Sequence, residues 1–353
     1  MLRSRDLAMG SSVLRRIRLP FAPGVEVEFA DRRRALEQVV EWSERGTAYP
    51  IVIYGPEGCG KTSLLKQAAE ILREGGYDVI YVDPINMSFV AHTDVREVVW
   101  RLGEAVGDVV NGRVKLAMLA SYLARELLAR WRKRRIAVLA DDVFQAIGLD
   151  KAGLYVKGLL NLIEHPPESY DGIVAIVATS EGVSRYEVGR HRWANLMVMW
   201  NMGRSGFGEL YDELAGLVQL NVDFEEAWRL TGGNPNVLRM LYQANWNVNA
   251  VIESIITSKK LGAFVSSLTP DERMWLLEAV ESPDSLMTRE RILLANKLIE
   301  LNMIVDEITY RSPWLWVDEP PPERDQELGI GKHVAWQTPL HREAVRRVLE
   351  GYG

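Results

Sequence analysis

Five apolar runs of strand length occur in the first part of the chain, at 51–54, 77–83, 136–140, 173–179 and 196–200. Each is apolar through its centre rather than alternating, the pattern of a strand buried on both faces. Between them, apolar residues recur at helical spacing over 61–74, 94–109, 113–132 and 151–165. An earlier helix is expected over 31–45, with Leu36, Val39, Val40 and Trp42 on or near one face and Gly46 ending it. Strands alternating with helices predict an α/β unit whose parallel sheet is covered on both sides.

The pattern changes after residue 200. Helical periodicity runs through 206–218, 223–231, 236–246 and 248–259, with no strand between. A third unit opens at Thr269, a plausible N-cap with Pro270 at the first helical position and Glu272 three residues on, which is a capping box. Helices are expected over 270–280 and 287–301, strand-like segments at 303–309 and 314–317, and a final helix at 339–349. The Pro- and charge-rich loop 318–332 would be a wing. The expected division is an N-terminal extension (1–24, its first ten residues frayed), the sheet domain (25–202), a helical domain (203–262) and a winged-helix-like unit (263–353).

Between the first strand and the helix after it stand Gly55, Pro56, Glu57, Gly58, Cys59, Gly60, Lys61 and Thr62. They match G-x-x-x-x-G-K-[ST] in its proper strand-to-helix setting. The glycines let successive N–H groups turn inward on phosphate oxygens, and the positive end of the helix, from Lys61 to Ser63, adds to that field. Lys61 is placed to reach the β- and γ-phosphates, and the Thr62 hydroxyl to ligate Mg²⁺. The expected ligand is therefore ATP or ADP with Mg²⁺.

The run 136–140 ends in Asp141 and Asp142. A hard cation prefers carboxylate oxygen, so Asp141 is the expected metal-site residue. Asp142 is the expected group that orients and activates the attacking water, and Gln145 just beyond it could also touch that water. This strand end resembles that of AAA-like ATPases, which place a glutamate there; Asp142 is one methylene shorter, which sets efficient hydrolysis against mere binding as an open question.

Composition changes this picture little. A 47% hydrophobic and 25% charged chain is an ordinary globular balance. No apolar run approaches the ~20 residues of a membrane helix, and the arginines near the N-terminus flank no apolar core, so a cytoplasmic protein without a membrane partner is expected. The lone Cys59 excludes an internal disulfide, and the scattered histidines show no zinc-ligand spacing. From residue 261 onward, 10 Lys and Arg face 16 Asp and Glu, against 32 and 32 in the rest of the chain. An acidic C-terminal third argues against wholesale duplex binding, which needs a basic face. Among the basic clusters, that at 132–135 is the best placed for a phosphate backbone.

With these motifs in place, the chain resembles the archaeal ATPase family in the STAND branch of AAA-like P-loop NTPases. Phe29, Asp31, Arg32 and Leu36 match its F-x-(D/N)-R-E-x-E-L-like opening, while Arg33 and Ala35 replace the two glutamates. Gly232, Gly233 and Pro235 match its G-G-x-P turn. The resemblance implies an ASCE/AAA-like sheet of order 5-1-4-3-2, a helical lid and a C-terminal winged helix. It also implies that Phe29 and Arg32 lie on the base side, and that Gly233 and Pro235 start a helix facing the phosphates. Thr179 or Ser180 would hold the γ-phosphate or the lytic water, and Arg190 or Arg192 could act as a cationic finger toward a neighbouring subunit. An ATP-driven switch with a protein client is the leading expectation. The alternatives are an initiator-type ATPase that meets DNA through the winged helix, and an adaptor in which ATP is a structural ligand.

Overall fold

In a computed structural model of the chain, residues 15–351 are described, apart from 181, 183 and 307. The first ten residues, expected to be frayed, lie outside them. The strands are β1 (Arg18–Ala22), β2 (Val25–Glu28), β3 (Ile51–Tyr54), β4 (Asp78–Asp83), β5 (Ser88–His92), β6 (Arg135–Asp141), β7 (Gly172–Ala178), β8 (Asn195–Met199), β9 (Ile304–Val305), β10 (Trp316–Val317) and β11 (Ala335–Trp336).

Seven of them form one sheet in the order β10-β8-β3-β7-β6-β4-β5. All neighbours are parallel except β4 and β5. The expected five-strand order needs correcting at both edges. Its five strands are the inner ones, and a strand that the sequence did not place in this sheet joins at each side. One is β5, a short, half-buried hairpin partner of β4. The other is β10, drawn from the segment expected to lie in the C-terminal unit. Two residues carry no period, so only docking could assign β10 its place.

The inner strands are continuously apolar because successive side chains serve opposite faces. Val52, Ile80, Val138 and Ala175 pack against the helices Arg96–Gly107, Gly112–Ala129 and Ala152–Glu164. Ile53, Tyr81, Leu139 and Ile176 pack against the helices Arg33–Arg45 and Lys61–Glu74. All the loops at the carboxyl ends of the parallel strands therefore open on one edge of the sheet, where ligands of such folds bind.

The N-terminal strands pair as an antiparallel hairpin turning at Pro23 and Gly24, so residues on both sides of the expected 24/25 boundary belong to one element. Beyond the sheet, the helices Pro235–Gln243, Val248–Ser258 and Leu261–Ser266 share a single apolar core with Pro270–Glu281, Ile292–Glu300 and Pro339–Glu350. Thr269 caps its helix as expected: the Glu272 amide donates to Thr269 Oγ1 at 3.2 Å and the Thr269 amide to Glu272 Oε2 at 2.9 Å. In the loop 318–332, Leu328 and Ile330 are buried, and Arg311 donates to the Lys332 carbonyl at 2.7 Å.

Candidate nucleotide site

The turn after β3 has no room for a side chain at Gly55 or Gly58. A Cβ on Gly55 would lie 1.9 Å from the Met199 carbonyl oxygen, and one on Gly58, whose φ is +77°, would lie 2.3 Å from Asn236 Cβ. Gly60 precedes the helix Lys61–Glu74 in a left-handed conformation and has no side chain to cap it. Its first-turn amides are thus open to an anion. Lys61 is buried, with Nζ donating to the Gly55 carbonyl at 3.0 Å and the Pro56 carbonyl at 2.8 Å.

At the end of β6, Asp141 accepts hydrogen bonds from the Thr62 hydroxyl and, at 3.1 Å, from Tyr81 Oη. Burial, helped by repulsion from Asp142 and Asp83, pushes its pKa up to about 7 against those two hydrogen bonds. The β4–β6 register pairs Val82 with Ala140, which sets Asp83 beside Asp141. Asp83 and Tyr81 were not picked out from the sequence. The usable signal was a carboxylate ending the strand adjacent to the acidic pair. No group of three or more His, Cys, Asp or Glu has metal-holding geometry among the described residues. One hydroxyl, one carboxylate and excess local negative charge fit an Mg²⁺ that takes its remaining ligands from water and substrate phosphates.

Asp142 has φ +46°, a left-handed backbone that turns the chain sharply out of the strand. Its Oδ1 accepts from the Ser180 amide and from Ser180 Oγ, each at 3.2 Å, and burial raises its pKa. Of the two residues weighed for the tip of β7, Ser180 reaches the cavity, whereas Thr179 is buried and pairs with Ser184 Oγ at 3.2 Å. Arg190 is 68% exposed and pairs with Glu187, and Arg192 is exposed too. Neither lines the cavity.

That cavity measures about 620 Å³, within the range of small-molecule sites. Gly58, Lys61, Thr62, Asp141 and Asp142 line its polar end, and Phe29, Val27, Phe21, Met202 and Leu210 its apolar end. Ser63, Gln145 and Arg32 also line it. Phe29 therefore lies at the apolar end. Arg32 is committed to other partners, described below. Pro235 reaches the wall, but Gly233 does not. A Cβ there would meet the Met202 carbonyl oxygen at 2.2 Å, so the Gly-Gly turn serves close backbone packing.

The helical segment grips the loop directly. Asn234 caps the helix Pro235–Gln243 and also donates Nδ2 to the Glu57 carbonyl at 2.9 Å. The Glu57 amide donates to Gln337 Oε1 at 2.9 Å, and its carboxylate pairs with Lys259 at 2.7 Å. Burial alone would raise the Glu57 pKa, but Lys259 and, more weakly, His341 and Lys61 favour the carboxylate and the net shift is downward.

Nearby His341 is buried, with Nδ1 2.7 Å from Thr338 Oγ1, and burial holds its pKa down from 6.5 to about 4. Between those values the unfolded chain binds a proton that the folded one refuses, so stability falls as the pH drops from about 6.5 to about 4. A loss of a few kcal/mol is expected from this group, on the order of 1.4 kcal/mol per pH unit. His341→Gln should flatten that part of the profile in thermal unfolding scans. Equal slopes in variant and parent would remove His341 as the cause.

Residues 29–241 match the family described as an ATPase domain predominantly from Archaea. A phosphonates import ATP-binding protein of Cupriavidus necator is 35% identical over 182 residues, a match covering 44% of this chain and 64% of that protein. The chain thus spans somewhat under two thirds of that relative's length. Among solved structures, a Walker-type ATPase of Pyrococcus abyssi aligns with a TM-score of 0.46 and 16% identity, covering 90% of this chain and 96% of that one. Cdc6p of Pyrobaculum aerophilum aligns at 0.37 and 12%, covering 95% and 99%. With the family match extending over more than half its length, the chain belongs to the ATPase domain family found predominantly in Archaea.

Proposed function

We propose that the protein binds MgATP in the 620 Å³ cavity and hydrolyses it, and that the bound γ-phosphate governs how the lid and C-terminal helices sit on the sheet domain. The observation that carries this reading is one cavity with a phosphate loop and acidic pair at its polar end, an apolar end for a base, and Pro235, Asn236 and Arg239 of the lid in its wall.

Mg²⁺ held by Thr62 and Asp141 would neutralise charge on the β- and γ-phosphate oxygens. The backbone amides of the loop and the first helical turn bind the phosphates, and Lys61 stabilises charge that develops on the transferring group. Asp142, held by Ser180, orients a water and takes its proton. A carboxylate whose pKa is raised by burial is better matched to that task. Because Asn234, Lys259 and Gln337 hold the tip of the loop, any change in loop geometry reaches the helical and C-terminal segments through those bonds. A ligand shifts such an arrangement only through its differential affinity for the two states.

Residues 263–353 are read as a winged-helix unit that takes a protein client. The exposed face of its second helix carries Leu293, 69% exposed, and Ile292, while Arg291 and Lys297 are engaged by Glu278 and Glu272. Apolar residues and neutralised cations suit a protein surface better than phosphate backbone.

Calorimetric titration with MgATP, followed by phosphate-release assays with and without duplex DNA, tests the reading. Saturable binding and turnover that DNA leaves unchanged are expected. No heat and no thermal shift in folded protein would sink the nucleotide assignment, and turnover stimulated by DNA would overturn the choice of partner.

A further inference from the structure

Arg32 was expected on the base side of the nucleotide, but its guanidinium, in a residue 3% exposed, ties together three distant segments. Nη1 donates to Asp318 Oδ2 at 2.8 Å, and Nη2 donates to the carbonyls of Cys59 at 2.6 Å and Trp200 at 2.9 Å. Asp318 directly follows β10, the edge strand supplied by the C-terminal part of the chain. Gln38 fastens the same strand to the helix Arg33–Arg45. Its Nε2 donates to the Trp316 carbonyl at 2.9 Å, and its Oε1 accepts from the Asp318 amide at 3.0 Å. Asp31, Arg32 and Asp318 have φ of 46°, 56° and 66°, a left-handed conformation that non-glycine residues keep only where surrounding contacts hold them.

The Cys59 carbonyl belongs to the phosphate loop. In a planar trans peptide the C=O and the following N–H point in opposite directions. A donor that fixes the Cys59 carbonyl therefore also fixes the direction of the Gly60 N–H, in a turn whose Gly60, Lys61 and Thr62 line the cavity. Asn234 acts in the same manner two residues earlier, holding the Glu57 carbonyl and so orienting the Gly58 N–H.

We propose that Arg32 and Asp318 are positioning residues for the phosphate cradle: Asp318 holds the guanidinium in place, and Arg32 fixes the peptide that aims the Gly60 amide. The C-terminal edge strand is on this reading an integral part of the nucleotide site, although it lies far along the chain from the loop. This inference rests on the MgATP reading above.

Asp318→Ala leaves a buried guanidinium without its counter-charge. Loss of a charged hydrogen bond that orders the loop should weaken MgATP binding and raise KM by about tenfold or more. The saturated kcat should stay near the parent value, since no reacting atom is touched. The double variant Arg32→Met with Asp318→Leu removes both charges. It should unfold at a higher temperature than Asp318→Ala alone, since no charge is left buried without its counter-charge, yet keep the weakened affinity.

In the unmodified protein, MgATP should slow amide hydrogen exchange in residues 316–318 together with the loop. A double variant that binds MgATP as tightly as the parent, or exchange in 316–318 that MgATP leaves unaltered, would overturn the proposal. A parent that binds no MgATP would instead overturn the reading of the cavity itself.

Discussion

Lys61→Ala is expected to abolish measurable ATP turnover and to leave nucleotide binding severely weakened. The ammonium is the one cation of the phosphate loop, and it is buried against the carbonyls of Gly55 and Pro56. From there it can pass between loop carbonyls and phosphate oxygens with little change of environment. Alanine removes the charge that meets the β- and γ-phosphates and leaves two carbonyl oxygens without their donor. Losing a single preorganised donor at a developing oxyanion costs about a hundred- to a thousandfold in rate. The loss here should be at least that large, because a full charge goes with the hydrogen bonds. Phosphate release and calorimetry on the purified variant check the expectation. Parent-like affinity for ATP would refute the placement of the nucleotide.

Asp142→Asn should separate binding from chemistry. Asparagine keeps the shape of the side chain and an oxygen that can still accept from the Ser180 amide and hydroxyl, so the turn after β6 should survive. What disappears is the carboxylate that takes a proton from water, a contribution of about a hundred- to ten-thousandfold in rate. MgATP affinity should be unchanged or tighter, since a negative group facing the phosphates has been neutralised. A stable ATP complex with turnover reduced by at least about a hundredfold is the expected result. Unchanged turnover would take Asp142 out of the mechanism and favour Gln145, which lines the same cavity. Loss of binding as well would point to a structural role for the carboxylate. The two variants together also decide whether ATP is a fuel or a fixed structural ligand, the question that the aspartate at this position raised.

Much of the site was legible because its chemistry is local. The loop from Gly55 to Thr62 is a continuous stretch whose glycines answer to a steric demand that the structure makes explicit at Gly55 and Gly58. Asp141 follows an uninterrupted apolar strand, and the capping box at Thr269 spans four consecutive residues. Other assignments needed the third dimension. Thr179 and Ser180 are adjacent and chemically alike, and only the direction of each side chain at the end of β7 separates them. Asp83 joins Asp141 through strand register, a relation between segments that hydropathy cannot supply. Arg32 matched a motif, and the motif implied a place near the base. Its actual partners are a loop carbonyl, the Trp200 carbonyl and a carboxylate 286 positions away.

By itself, then, the sequence determined the strand–helix alternation, the covered parallel sheet, the glycine-bearing turn after β3 and the acidic pair that ends β6. Each of these is written in a short window, where period, glycine geometry and a terminal polar residue act on neighbours along the backbone. The tertiary structure alone decided the two edge strands and the bonds by which Asn234, Gln337, Lys259 and Arg32 hold the turn after β3. Those bonds form between polar side chains whose spacing in the chain is arbitrary. They acquire meaning only when burial removes water and leaves each donor and acceptor to find its partner inside the protein.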